Sequence, residues 1–116
     1  MSDNRMCWLT VPEMHRLNGA CLDLVRVFDS CPFLVGSVLH RADFHDVDVR
    51  LMLPDKKFHR MFRDNAWLKM ANAAVSAQLE VATGLPIDFQ FQDTTQANAE
   101  FSGPRHALGM WLVRSE

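Results

Sequence analysis

Phe33-Leu34-Val35-Gly36-Ser37 and, after a spacer of eight residues, Asp46-Val47-Asp48-Val49-Arg50-Leu51 decide how this chain is read. The first run is apolar, short and closed by Gly-Ser, which fits a buried strand. The second alternates in kind. Successive strand side chains point to opposite faces, so Asp46, Asp48 and Arg50 share one face and Val47, Val49 and Leu51 the other. Two carboxylates two positions apart on a strand lie close together and repel at neutral pH unless a cation stands between them. Hard oxygen donors of this kind suit Mg²⁺, or Mn²⁺ in its place; Mg²⁺ takes one or two carboxylates and completes its shell with water and phosphate oxygens.

Gly36-Ser37 supplies a complement. Glycine at a strand end lets the backbone approach a ligand closely. The serine adds a hydroxyl and a backbone N–H for an anion, best where a helical turn begins. Ser37 to Arg41 is read as such a turn. A phosphate-grasping turn beside an acid pair points to a nucleoside triphosphate. A third acid stands in Leu85-Pro86-Ile87-Asp88-Phe89-Gln90-Phe91. There Ile87, Phe89 and Phe91 fall on one face and Asp88, Gln90 and Gln92 on the other. If this strand neighbours the Asp46 strand, three carboxylates gather on the open side of one sheet.

Gly-Ser, a spacer, acid-x-acid between hydrophobics, and a later acid between hydrophobics resemble, in that order, the signature of the nucleotidyltransferase superfamily of the DNA polymerase beta type. The resemblance spans roughly residues 11 to 92. It implies a Mg²⁺- or Mn²⁺-dependent transfer of a nucleoside monophosphate from an NTP, such as ATP, to an acceptor hydroxyl, with release of pyrophosphate. By that resemblance Asp46, Asp48 and Asp88 are the catalytic and metal-holding residues, Asp88 doubling as general base. Gly36 and Ser37 hold the outer phosphates, with Arg41 placed to touch one. The acceptor, whether protein, RNA or small molecule, is left open. The spacer is slightly short for the family, and no appended domain chooses a base or an acceptor. Members this small depend on a partner chain, on dimerisation or on an extra element, helical partners of the toxin–antitoxin kind included. A catalytically silent binding or regulatory module on the same fold is the alternative reading, and a small metal-dependent phosphate hydrolase is a third.

The rest of the chain is read around this centre. Thr10, Pro12 and Glu13 form a helix start with a capping box, and Met14, Leu17, Cys21, Leu24 and Phe28 carry one apolar stripe to about Asp29. Lys56 to Arg63 reads as a short helix with a solvated basic start at Lys56 and Lys57. Ala66 to Thr83 reads as a longer, Ala-rich helix stopped by Gly84. Residues 1–9 read as a tail in which Trp8 docks. Residues 93–109 read as a polar loop, with Arg105-His106 after a Gly-Pro turn, and Met110 to Arg114 as a last edge strand. The whole is expected to be one domain over 1–116, an α+β two-layer fold with a mixed or antiparallel sheet and helices on one face.

Composition sets the bounds. The chain has 116 residues, 48% hydrophobic and 22% charged, with a formal charge of −2, so no global basic field favours sequence-independent nucleic-acid binding. Cys7, Cys21 and Cys31 have no metal-like spacing and read as reduced thiols. No run is long enough to span a membrane, and Met1 to Arg5 is too polar for a secretory leader, so a cytoplasmic location is expected. His40 and His45 flank the spacer without a third close ligand, which disfavours a zinc site. There is no G-x-S-x-G elbow and no G-x-x-x-x-G-K loop.

Overall fold

The computed structural model describes residues 7–110. Helix α1 spans Val11–Ala20 and begins as the sequence requires: Glu13 N–H donates to Thr10 Oγ1 at 3.2 Å, and Thr10 N–H donates to Glu13 Oε1 at 2.8 Å. The apolar stripe does not continue as one helix to Asp29. The chain turns at Cys21 and restarts as α2, Leu22–Phe28. The break lies where Gly109 docks: its N–H donates to Asn18 Oδ1 at 2.9 Å, and a Cβ added there would crowd Val25 and the Cys21 carbonyl. Burial pushes the Cys21 thiol up to about 12, so it packs as a small hydrophobe.

Among the described residues four strands, β1 Pro32–Val35, β2 Val47–Leu53, β3 Ile87–Asp93 and β4 His106–Ala107, form one mixed sheet in the order β3-β2-β1-β4. β1 runs antiparallel to β2 and to β4, while β2 and β3 run parallel. Parallel neighbours need a long crossover. Helices α3, Asp55–Met61, and α4, Asn65–Thr83, provide it. Asp64 caps α4 through Ala66 N–H at 2.9 Å, and Gly84 ends it at φ +75°.

Alternation decides what faces the helices. Leu34, Val47, Val49, Leu51, Leu53, Ile87, Phe89 and Phe91 are all buried in one contiguous core with Leu17, Phe58, Phe62 and Leu79. The fold is an α+β two-layer arrangement, as the sequence pattern implies. The edge strand β3 is also closed by side chains of α4, one turn apart. Asn72 Oδ1 accepts from Phe91 N–H at 2.9 Å, Ser76 Oγ from Phe89 N–H at 2.9 Å, and Glu80 Oε2 from Ile87 N–H at 3.1 Å. The N–H groups that would recruit a foreign strand are thereby spent.

The stretch read as a loop after residue 93 is instead partly helical. α5, Thr94–Glu100, starts at once after β3, with Asp93 accepting from Gln96 N–H at 2.6 Å. Asp55 staples it to α3, accepting from Thr95 Oγ1 at 2.6 Å and Thr95 N–H at 3.2 Å. These bonds hold the exposed Asp55 carboxyl below its ordinary range. The capping pattern Asp93-x-x-Gln96 was the available signal; the polar composition masked it. Because α5 folds onto the polar face, Gln92 is 1% exposed and donates to Glu100 Oε1 at 2.6 Å, rather than facing solvent. The last strand among the described residues lies at His106–Ala107, and the expected strand Met110 to Arg114 lies, but for Met110, outside the described residues. The tail is docked where described: Cys7 and Leu9 are buried, and Trp8 N–H donates to Val38 O at 2.8 Å. Among the described residues no helix is long and apolar enough to cross a membrane.

Candidate functional site: an acid pair over Gly36

β2 and β3 are in parallel register with Asp48 opposite Asp88. The two carboxylates, distant in sequence, therefore share one row on the polar face of the sheet. The same row continues into β1, where Val35 pairs with Asp48. One residue on, Gly36 takes φ +81° and enters a 3₁₀ turn, Gly36–Leu39. A side chain at Gly36 would collide with the Asp48 carboxylate. The glycine is needed twice over, for the left-handed backbone and for the carboxylate packed on it.

Asp46 stands just before β2, exposed, at the lip of this row. It is near enough to Asp48 for its charge to act there. Burial pushes the Asp48 carboxyl above its ordinary range; Arg50 pulls it back, while the charges of Asp88, Asp46 and Glu100 push it up again. Asp48, Asp88 and, at the margin, Asp46 thus form one electrostatic unit. Ser37 is half-buried, its carbonyl accepting from His40 and Arg41 N–H at 2.9 and 2.8 Å, and its hydroxyl has no partner among the described residues. Arg41 is not drawn in. It lies exposed on the spacer in a two-point bond to Asp43, at 3.0 Å from each nitrogen, and that bond raises the guanidinium pKa.

Arg50 occupies the next position along the polar face and is 4% exposed. Its Nη1 donates to Asp88 O at 2.6 Å and Val49 O at 3.2 Å. Its Nη2 lies 3.4 Å from Asp88 Oδ2 and 3.9 Å from Asp48 Oδ1. The guanidinium carbon sits 5.4 Å from the centre of the Phe101 ring, which follows α5. Its Nε is buried without a partner among the described residues. The sequence places Arg50 on the acid face; its bridge to Asp88 comes from the β2–β3 pairing, and the Phe101 ring after α5 lies against its guanidinium. Glu100 and Phe101 are the residues that sequence reasoning missed, because they fall in the stretch read as a loop. Arg105 does not fold over the acids. Its Nη2 donates to Asn98 Oδ1 at 2.7 Å and Phe101 O at 2.9 Å, closing the end of α5.

The donor set suits a hard divalent cation in part. Arg50 engages one oxygen of each carboxylate, Asp48 Oδ1 and Asp88 Oδ2, while Gln90 Nε2 donates to Asp88 Oδ1 at 3.4 Å and Asp48 Oδ2 faces Gly36. Two carboxylates with phosphate and water are a sufficient Mg²⁺ shell. Among the described residues no three His, Cys, Asp or Glu side chains converge in a way that could hold a metal ion by themselves. No family model matches the chain, and no curated protein or solved structure matches it.

Proposed function

We propose that this chain is a minimal nucleotidyltransferase that moves a nucleoside monophosphate from an NTP to an acceptor hydroxyl. The observation that carries the reading is the pairing of Asp48 with Asp88 across parallel strands, with Gly36 held bare beneath the Asp48 carboxylate. The order of Gly-Ser, Asp-x-Asp and Asp in sequence supports it independently. In this proposal Asp48 and Asp88 would hold Mg²⁺ or Mn²⁺, with Asp46 at the lip adding negative charge, and the ion would neutralise charge on the triphosphate. Gly36 and Ser37 offer backbone N–H groups and a hydroxyl to phosphate oxygens. The acceptor oxygen bonds to the α-phosphorus, the bond to the bridging oxygen breaks, pyrophosphate departs, and the acceptor proton passes to Asp88. The metal, the nucleotide and the cytoplasmic setting belong to the proposal as a whole.

The test is incubation with each α-labelled NTP, Mg²⁺ or Mn²⁺ and a cell lysate, followed by a search for labelled protein, RNA or small molecule. Transfer that disappears in Asp48→Asn and Asp88→Asn supports the reading. Release of labelled nucleotide without any acceptor would point to a hydrolase instead.

A second reading is favoured by one observation. Arg50 already sets a fixed positive charge beside both acids. A silent module that binds nucleotide through Gly36 and Ser37 fits that arrangement. Saturable nucleotide binding by calorimetry, with no label transferred under any metal, would select it.

A further inference from the structure

The acid pair already has a cation of its own. Arg50 is buried on the polar face, with Nη2 3.4 Å from Asp88 Oδ2 and 3.9 Å from Asp48 Oδ1. It is fixed there by the main chain. Its Nη1 donates to Asp88 O at 2.6 Å and to Val49 O at 3.2 Å, one carbonyl from each strand that carries an acid. Its Nε is buried with no partner among the described residues. The head is thus held toward the acids even though one donor stays unmatched, and an unmatched buried donor calls for an explanation. The remaining carboxylate oxygens are few. Asp88 Oδ1 accepts a long bond from Gln90 Nε2 at 3.4 Å, and Asp48 Oδ2 faces Gly36. Among the described residues no three acidic, histidine or cysteine side chains converge to hold an ion by themselves. A guanidinium carries a permanent charge, and like charges in a partly buried row repel strongly. Two half-engaged carboxylates beside such a charge make a weak site for a bare divalent ion. Phosphate oxygens bring what is missing, both ligands and negative charge.

We infer that Arg50 is a resident counter-ion that competes with divalent metal for Asp48 and Asp88, so that the ion enters only together with a nucleotide's phosphates. The nucleotide in this statement rests on the nucleotidyl-transfer reading; the competition rests on the geometry of Arg50 alone. Arg50 is then a positioning residue. It holds the two acids side by side before substrate arrives, and it makes loading of the site depend on substrate. A purely structural Arg50 has a different consequence. Its removal would loosen the acids and weaken any ion they share, whereas removal of a competitor strengthens it.

Titration of the full chain with Mn²⁺ alone, from about 10 µM to 5 mM and read by loss of the free-ion paramagnetic resonance signal, tests the competition. The parent chain is expected to take up no Mn²⁺ below about 1 mM. Arg50→Met and Arg50→Gln are expected to bind one Mn²⁺ at least about tenfold more tightly than the parent, and to melt higher with the ion than without it. Adding Asp88→Asn to Arg50→Gln is expected to abolish that gain. Parent binding at tens of micromolar, roughly, without nucleotide overturns the proposal. So do folded Arg50 variants that bind no more tightly, and so does a gain that survives Asp88→Asn. If both variants are unfolded without metal, recovery of their circular dichroism by Mn²⁺ supports the competition, and no recovery overturns it. A separate arm follows retention of the α,β-methylene analogues of the NTPs by equilibrium dialysis. Retention by the parent only when Mn²⁺ is present supports entry of ion and nucleotide together. Retention of no analogue under any condition overturns joint entry and the nucleotidyl-transfer reading, while the Mn²⁺ titration still decides the competition.

Discussion

Arg50 donates to the backbone carbonyl of Asp88 at 2.6 Å while its second terminal nitrogen lies 3.4 Å from the carboxylate of the same residue. The guanidinium therefore grips both the strand and the side chain of Asp88. It is a fixed part of β3's setting rather than a mobile counter-ion. That anchoring makes the acid pair tolerable in the folded chain.

Replacing Arg50 with Met is expected to be destabilising, because it strands Asp48 and Asp88 beside each other without their cation. Breaking a fully buried pair costs about 3–5 kcal/mol. The Asp88 side chain is 42% exposed, so solvent relieves part of this and a loss of roughly 2 kcal/mol is expected. Arg50→Lys should not restore it, since one ammonium cannot reach the carbonyl and both carboxylates together. Adding Asp48→Asn to Arg50→Met should recover part of the loss. Urea denaturation of the four chains in a double-mutant cycle measures the coupling.

Asp48 gives a pH dependence of defined sign. Its folded-state pKa lies above the unfolded value, chiefly from burial. Between the two values the folded chain binds the additional proton, so stability falls as pH rises through that window and the penalty is complete above it. Asp48→Asn is therefore expected to be more stable than the parent near neutral pH, with the gap closing below about pH 4. Denaturation midpoints at both pH values check this. If Asp48→Asn proves less stable at neutral pH, attraction to Arg50 outweighs burial.

Gly36→Ala is expected to cost about 1–2 kcal/mol from the left-handed backbone alone. More follows from displacing the Asp48 carboxylate, which a Cβ would meet. Thermal melts should show the loss. If the proposed activity exists, transfer should fall more steeply than stability, because the displaced group is Asp48.

The ladder from α4 to β3 predicts a different failure. Ser76→Ala leaves the Phe89 N–H without its 2.9 Å acceptor, and Asn72→Ala does the same to Phe91. Each is expected to cost about 1–3 kcal/mol, as for an unsatisfied buried donor. The double variant should also aggregate faster under mild heating, because β3 regains an open edge. Light scattering during a thermal ramp reads this directly.

Much of the site was legible before folding was considered. Alternation assigned Asp48, Arg50, Asp88 and Gln90 to one face and Val47, Val49, Phe89 and Phe91 to the other, and the structure agrees. The caps at Thr10 and Gly84 were equally readable, because each acts within a few residues of itself. The helix at 94–100 was not, since its composition is polar and its apolar contribution is the single buried Ala97. Nor was the turn at Cys21, where a residue far along the chain, Gly109, presses against the helix.

Local chemistry and period-two patterning, printed in the chain itself, determined that Asp48 and Asp88 stand on strands with one polar face and that a Gly-Ser turn follows a short apolar strand. Register is different, because it is a relation between segments. Only the packed sheet set Asp48 against Asp88, Gly36 under Asp48, and α5 over Arg50. Hydrogen bonding between strands and burial of the opposite, apolar face fix that register together, and neither term is written in any single stretch of residues.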